Sequence, residues 1–274
     1  MADMTNKAAP IGIFDSGVGG LSVLQAIQKI LPHEDILYFA DSGNCPYGVR
    51  PAAQICELAE RATNVLLTQG AKALVIACNT ASTAAVTYLR QKWPHLPIVG
   101  MVPAVKPAAS ISQSGIIAVL ATQATGHAPV LHDVIDRFAA QLEVLIITPP
   151  GLVELVEKGQ ENTPFTRELL RQYLEPALDK GADVVVLGCT HFPFLRPALT
   201  AIVTNRASII DSGEAVARQT YRVLENSALL NPENDTGRTQ FLTTGEPIQT
   251  RRVIAHLLRL DPTALDIQFL ERVK

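Results

Sequence analysis

The sequence predicts an α/β fold with two similar open, mostly parallel-sheet domains that face each other across a central cleft. Short runs of Val, Ile and Leu recur along the chain and are continuous rather than alternating, which indicates strands covered on both faces. Segments with helical apolar spacing separate these runs, as in sheets with helical crossovers. A weak duplication also places similar strand ends in the two halves of the chain.

Nine apolar runs are predicted strands, and the segments between them are predicted helices. In chain order, the strands are expected at residues 11–14, 36–40, 73–77, 97–102, 116–120, 143–147, 183–187, 208–210 and 239–243. Residues 51–69 and 165–179 carry apolar side chains at spacings of three and four, which is typical of a helix with one buried face. Strand and helix therefore alternate along the chain.

Two segments are candidate domain boundaries. They are the proline-rich residues 93–107 and the stretch 209–213. They predict a first domain of residues 1–100 plus 211–274 and a second domain of residues 101–210. The polar segment 231–239 is predicted to be a solvated loop.

Composition excludes several classes of protein. The 274 residues are 47% hydrophobic, enough for a sizeable core, and only 18% are charged, which is unlike a disordered chain. The net charge of −3 leaves no basic excess, so we expect no nucleic-acid partner. No apolar run approaches the roughly 18 residues that a membrane span needs, and the first ten residues lack a secretory signal core. We therefore expect a cytoplasmic protein without a membrane partner.

The cysteine content argues against a metal or disulfide framework. The chain contains Cys45, Cys56, Cys78 and Cys189. Four cysteines are too few for a disulfide scaffold, and no two have the CxxC spacing of a zinc or redox pair. No metal site is therefore expected, and a functional cysteine would act as a free thiol. Cys45 lies in a segment with turn composition, where a structural role is the simpler interpretation.

The duplication points to a functional site. In the first half, one strand ends at Asp15 and Ser16, and a later strand precedes Cys78. In the second half, one strand runs into Thr122 and another precedes Cys189. Asp15 and Cys78 are 63 residues apart, and Thr122 and Cys189 are 67 apart. Ligands bind at the carboxyl ends of strands in open α/β sheets, so two facing domains would direct both thiols into one cleft.

Two thiols on opposite sides of a carbon atom suit racemisation. A racemase removes a proton from one face and returns a proton to the other, and thiols can act as base and acid near neutral pH. Each cysteine is followed by the predicted start of a helix, whose N–H groups favour a thiolate and can bind a carboxylate. His191 would promote the thiolate of Cys189. The alternatives are two buried structural cysteines, or a Cys–His hydrolase that leaves one thiol idle.

Four motifs occur in order along the chain, namely FDSGVGGLSV, CPYG, ACNTAST and LGCTHFP. Together they resemble the bacterial glutamate racemases of the aspartate/glutamate racemase superfamily, from Ile11 to about Gly213. The resemblance implies two α/β domains with the site between them. It also implies cofactor-independent interconversion of L- and D-glutamate, with D-glutamate supplied to peptidoglycan synthesis. It is compatible with activation by a cell-wall precursor and with a homodimer.

The resemblance also assigns roles to residues. Cys78 and Cys189 match the acid/base thiols that serve the D- and L-enantiomer, respectively. Asp15, Glu154 and His191 match the polar residues that assist the thiols, although a solvated helix residue is the simpler interpretation of Glu154. The substrate-binding positions are expected at Asp15, Ser16, Asp41, Ser42, Pro46, Tyr47, Gly48, Asn79, Thr80, Thr122, Thr190 and His191.

Three other functions are considered alongside racemisation of glutamate. A racemase of another acidic amino acid, such as aspartate, would share the two-thiol chemistry. A non-catalytic binding protein on this fold is expected to lose a thiol, and both are present. Residues 15–23 nearly match the GxGxxG of nucleotide-dependent oxidoreductases, but Ser22 replaces the third glycine and Asp15 would repel a pyrophosphate. Residues 126–130 depart from the family pattern, in which a hydroxyl residue and then a tyrosine are common.

Overall fold

Two parallel β-sheets form the framework of the computed structural model, which describes residues 6–271. The strands are β1 (Ile11–Asp15), β2 (Ile36–Ala40), β3 (Ala73–Ile76), β4 (Ile98–Val99), β5 (Ile116–Ala121), β6 (Glu143–Ile147), β7 (Val184–Gly188), β8 (Ser208–Asp211), β9 (Thr239–Thr243) and β10 (Asp266–Phe269). The helices are α1 (Leu21–Ile30), α2 (Ala52–Thr68), α3 (Asn79–Lys92), α4 (Val105–Ile111), α5 (Gln123–Gly126), α6 (Pro129–Phe138), α7 (Leu152–Glu157), α8 (Pro164–Asp179), α9 (Arg196–Val203), α10 (Gly213–Asn226) and α11 (Pro247–Leu258). Short 3-10 segments lie at Ser42–Asn44, Tyr47–Val49, Phe192–Leu195 and Pro262–Ala264.

The order of the strands places β1 and β7 inside their sheets. The larger sheet has six strands in the order β10-β9-β2-β1-β3-β4, and the smaller sheet has four in the order β6-β5-β7-β8. Every strand pair is parallel. Every residue of β1, β2, β3 and β7 is buried, because helices cover both faces of a parallel sheet. The predicted α/β class with parallel sheets is confirmed.

The predicted strands agree with the observed ones to within one residue at each end, except at two places. The strand expected at 97–102 is only Ile98–Val99, because Met101 donates its N–H to Ser82 Oγ at 3.0 Å rather than to a strand neighbour. Strand β10 was not predicted. It lies at the edge of the larger sheet and is mostly exposed, so its residues lack the apolar run that marks a buried strand.

Each sheet takes its strands from a different part of the chain. The larger sheet uses strands between residues 11 and 99 and between 239 and 269, and the smaller uses strands between 116 and 211. Helix α10 follows β8 and returns to pack on α1 beside the larger sheet. The predicted domain boundaries stay a prediction, and their outermost residues, 1–5 and 272–274, lie outside the described residues. Within 6–271, no helix has the length and apolarity to cross a membrane.

A buried ion pair connects the amino ends of the central strands. Lys72 Nζ lies 2.5 Å from Glu34 Oε2, and their side chains are 0% and 3% exposed. Lys72 Nζ also donates to the carbonyl oxygen of Lys7, and Glu34 Oε1 accepts the N–H of Asn231 at 2.8 Å. Both charges are therefore compensated inside the protein. Removing one would leave the other buried without its partner.

We expect Lys72→Met to lower the free energy of unfolding by about 3–5 kcal/mol, because Glu34 would then be a buried, unpaired carboxylate. Urea denaturation followed by circular dichroism measures this change. The control is Lys180→Met, which removes an exposed pair with Glu143 and is expected to leave stability nearly unchanged. Equal losses of unfolding free energy in the two variants would show that the buried pair stabilises the protein no more than the exposed pair does.

Candidate active site

The carboxyl ends of β1, β3 and β7 meet at one cavity between the two sheets. Most of the predicted site residues line it, namely Ser16, Pro46, Tyr47, Gly48, Cys78, Asn79, Thr80, Thr122, Cys189, Thr190 and His191. Both thiols therefore reach the same space, one from the larger sheet and one from the smaller. This is the arrangement that parallel strands produce when two sheets face each other.

Cys78 lies where β3 ends and α3 begins. Its sulfur accepts the N–H of Ala81 at 3.4 Å and lies 3.7 Å from Ser16 Oγ, and the residue is 4% exposed. Burial raises the pKa of the Cys78 thiol, and the nearby Asp15 carboxylate raises it further. Both effects favour the neutral thiol, the form that can donate a proton.

Asp15 lies beneath the cavity wall, fully buried. Its Oδ2 accepts the N–H of Gly20 at 2.6 Å, and its Oδ1 accepts the hydroxyl of Ser16 at 3.3 Å. Burial raises the pKa of Asp15, although the charge of His191 and the Gly20 N–H act in the opposite direction. Asp15 thus connects the surroundings of both thiols.

His191 stands between Cys189 and a carboxylate. Its Nδ1 lies 3.8 Å from Cys189 Sγ, and its Nε2 lies 2.6 Å from Glu157 Oε1. Burial alone would lower the pKa of His191, but hydrogen bonds to Cys189, Cys45 and Glu157 hold it well above the ordinary value. The ring therefore carries a positive charge beside the Cys189 sulfur at neutral pH.

Glu157, which the sequence analysis missed, is the carboxylate that holds His191. Its Oε1 also accepts the N–H of Val18 at 2.7 Å, and its Oε2 accepts the hydroxyl of Ser42 at 3.3 Å. Glu154 instead lines an outer cavity of about 340 Å³, so its predicted role stays a prediction. Both residues lie on α7, and nothing in the segment GLVELVE distinguishes them before the helix is docked.

The glycine-rich loop after β1 fits closely around this pair. A Cβ at Gly17 would overlap the Glu157 carboxylate, and a Cβ at Gly19 would overlap the His191 ring. The glycines therefore allow the backbone to approach His191 and Glu157. Close approach to two side chains accounts for the near match to GxGxxG without a nucleotide.

The remaining predicted residues lie around the segment 41–48. Asp41 is buried behind Tyr47, whose hydroxyl donates to Asp41 Oδ2 at 2.6 Å, and it also accepts the hydroxyl of Thr244. Ser42 contacts Glu157, as described above. Cys45, interpreted from the sequence as a turn residue, lies close to Glu157 and His191, and burial raises the pKa of its thiol to about 12. Sequence reasoning missed this contact because it joins distant segments.

Polar groups from both sheets close the cavity. Thr80 Oγ1 lies 2.9 Å from Thr122 Oγ1 and 3.2 Å from Thr125 Oγ1. The buried amide of Asn79 has no hydrogen-bond partner at either end among the described residues, so it offers a donor and an acceptor to a ligand. The inner cavity measures about 10 Å³, room for about one water. A larger ligand requires the two sides to separate.

Known proteins share these features over most of the chain. Residues 12–220 match the family described as Asp/Glu/Hydantoin racemase. The chain is 49% identical over 255 residues to a glutamate racemase of Ectopseudomonas mendocina, covering 93% of this chain and 96% of that protein. It is 46% identical over 247 residues to a glutamate racemase of Herpetosiphon aurantiacus, covering 90% and 97%.

Solved structures agree in fold. The glutamate racemase of Thermus thermophilus in complex with β-chloro-D-alanine is similar with a TM-score of 0.81 and 38% identity, covering 97% of this chain and 98% of that one. The Escherichia coli glutamate racemase in complex with L-glutamate and the activator UDP-MurNAc-Ala has a TM-score of 0.83 and 32% identity, covering 97% and 100%. The resemblance to glutamate racemases is confirmed, and the chain belongs to the Asp/Glu/Hydantoin racemase family.

Proposed function

We propose that this protein interconverts L- and D-glutamate, with Cys78 and Cys189 as the two acid/base groups. The observation that carries the proposal is that both thiols line one cavity, each from a different sheet. A racemase needs a base on one face of the α-carbon and an acid on the other. The likeness to glutamate racemases supports glutamate rather than aspartate as the substrate. The protein is thus an isomerase.

The two thiols have different neighbours. This suits a reaction in which, in each direction, one thiol acts as the base and the other as the acid. For L-glutamate, the Cys189 thiolate takes the α-proton, and the Cys78 thiol gives its proton to the opposite face. Cys189 becomes a thiol and Cys78 a thiolate, so the reverse reaction uses the same groups with exchanged roles. The His191 charge lies on the Cys189 side, while the raised pKa of Cys78 keeps that thiol protonated until it is needed.

The carbanionic intermediate needs donors and exclusion of water. The unpartnered Asn79 amide and the hydroxyl groups of Thr80 and Thr190 lie beside the cysteines and can bind the substrate's charged groups. Free N–H groups at the start of α3 favour a carboxylate in the same place. The remaining predicted binding residues and the predicted domain boundaries are part of this proposal, as is a positioning role for Asp15 near Cys78.

Further parts of the proposal concern the cellular role. D-Glutamate would be supplied to peptidoglycan synthesis, in a cytoplasmic location that fits four free cysteines. Activation by a cell-wall precursor is supported by the complex of the Escherichia coli glutamate racemase with UDP-MurNAc-Ala. The family resemblance supports assembly as a homodimer.

Purified protein with L-glutamate in D₂O and no added cofactor is expected to bring the optical rotation to zero while deuterium replaces the α-hydrogen. The reason is that the enantiomers have equal free energy and each proton returned comes from solvent-exchanged thiols. Polarimetry and proton NMR follow the two changes, with aspartate as the comparison substrate. Faster racemisation of aspartate would overturn the substrate assignment. No reaction with either amino acid, both without and with UDP-MurNAc-Ala, would overturn the activity.

Cys78→Ser and Cys189→Ser are each expected to lower the racemisation rate by about 100- to 10,000-fold, since each removes one proton-transfer group. Circular dichroism checks that the fold is retained. Cys56→Ser is the matched control, because Cys56 donates to the carbonyl oxygen of Ala84 outside the cavity. Full activity in either active-site variant would refute the two-thiol mechanism.

Glu157→Gln is expected to move the alkaline limb of the rate-against-pH profile to lower pH. The hydrogen bond that His191 Nε2 donates to Glu157 helps to raise the pKa of His191, so weakening it lets the imidazolium deprotonate at lower pH. Measured profiles of kcat and kcat/KM test this, with Glu154→Gln as the control. An equal shift in Glu154→Gln would instead favour the role that the resemblance gives to Glu154.

A further inference from the structure

Three side chains of different chemistry meet beside the inner cavity. One ligand atom each from Cys45, Glu157 and His191 lies within 4.8 Å of the other two. Cys45 lies between two 3-10 segments, Glu157 ends α7, and His191 follows β7, so the cluster joins three distant parts of the chain. A thiolate, a carboxylate and an imidazole are ligands that Zn²⁺ prefers in proteins, and three of them leave a fourth position open.

The partners around this cluster already orient two of the three groups. Glu157 accepts hydrogen bonds from the Val18 N–H at 2.7 Å and from the Ser42 hydroxyl at 3.3 Å. His191 has Nδ1 on the side of Cys189 and Nε2 on the side of Glu157. Such outer contacts fix the direction of metal ligands and strengthen binding. The cluster is thus more than three polar residues that happen to lie close together.

We propose that Cys45, Glu157 and His191 form an inhibitory binding site for Zn²⁺. The ion replaces the proton between His191 Nε2 and Glu157, which are 2.6 Å apart, after a small movement of the carboxylate. The Cys45 thiol proton and the Nε2 proton leave to solvent. The thiolate and the carboxylate then balance the two positive charges of the ion, with a neutral imidazole as the third ligand.

Zn²⁺ at this position would stop racemisation because His191 would become a neutral metal ligand. Its ring would then no longer carry a positive charge beside the Cys189 sulfur. This inhibition rests on the proposed function, whereas binding of the ion does not. Pro46, the neighbour of Cys45, lines both the inner cavity and the outer cavity of about 340 Å³, so Cys45 is one residue from the wall of each. Mg²⁺ prefers oxygen ligands and is expected to have no effect.

Direct binding is the first test. Equilibrium dialysis against buffered Zn²⁺ is expected to find one tightly bound ion in the unsubstituted protein and in Cys56→Ser. Cys45→Ser is expected to bind at least about tenfold more weakly, since a hydroxyl replaces the soft thiolate ligand. Co²⁺ serves as a spectroscopic probe, because its thiolate charge-transfer band in the near ultraviolet should be absent in Cys45→Ser. Equal binding by Cys45→Ser would place the ion elsewhere and overturn the proposal.

Inhibition is the second test. Racemisation is measured against free Zn²⁺, and each variant is compared with its own metal-free rate. Cys45→Ser is expected to need at least about tenfold more Zn²⁺ for half inhibition than either Cys56→Ser or the unsubstituted protein. Identical inhibition of Cys45→Ser would show that Zn²⁺ acts on the other thiols and would refute the site. Absence of racemisation without metal would refute the proposed function and leave the dialysis result intact.

Discussion

The hydrogen bond between His191 and Glu157 is the interaction on which the organisation of the site depends. At 2.6 Å it joins the segment after β7 to the end of α7. Through Val18 and Ser42, the same carboxylate holds the loops after β1 and β2. Four separate segments therefore share one network, and the loop glycines lie close enough to pack against it. The side chains of His191 and Glu157 are 2% and 17% exposed, so removing either would leave a largely buried charge without its partner.

This network makes the surroundings of two chemically identical thiols unequal. Cys78 has a buried carboxylate, Asp15, nearby, and burial raises the pKa of the thiol. Cys189 has the imidazolium of His191 beside it. When two identical groups lie in environments that push their pKa values apart, one can act as the acid and the other as the base of the same site. The proposed reaction needs this inequality, because one thiol must accept a proton while the other donates.

Closure of the cavity adds a second condition. The threonine contacts between the two sheets leave space for about one water, so glutamate must enter when the sides are apart. Gly48 takes part in this closure, since a Cβ there would lie 2.7 Å from Thr122 Cβ. Exclusion of water strengthens every electrostatic interaction around a developing carbanion. The same tight fit explains why the Asn79 amide is buried without a partner when the site is closed.

The sequence by itself determined the α/β class, most strand positions and the convergence of Cys78 and Cys189. These follow from local apolar patterns and from the rule that parallel strands present their carboxyl ends at one edge. Only the tertiary structure identified Glu157 rather than Glu154 as the partner of His191, and only it placed Cys45 beside them. The physical reason is that these contacts depend on how α7 and the turn at residues 41–48 dock against distant segments. Local periodicity carries no information about such docking, which is also why edge strand β10 was missed.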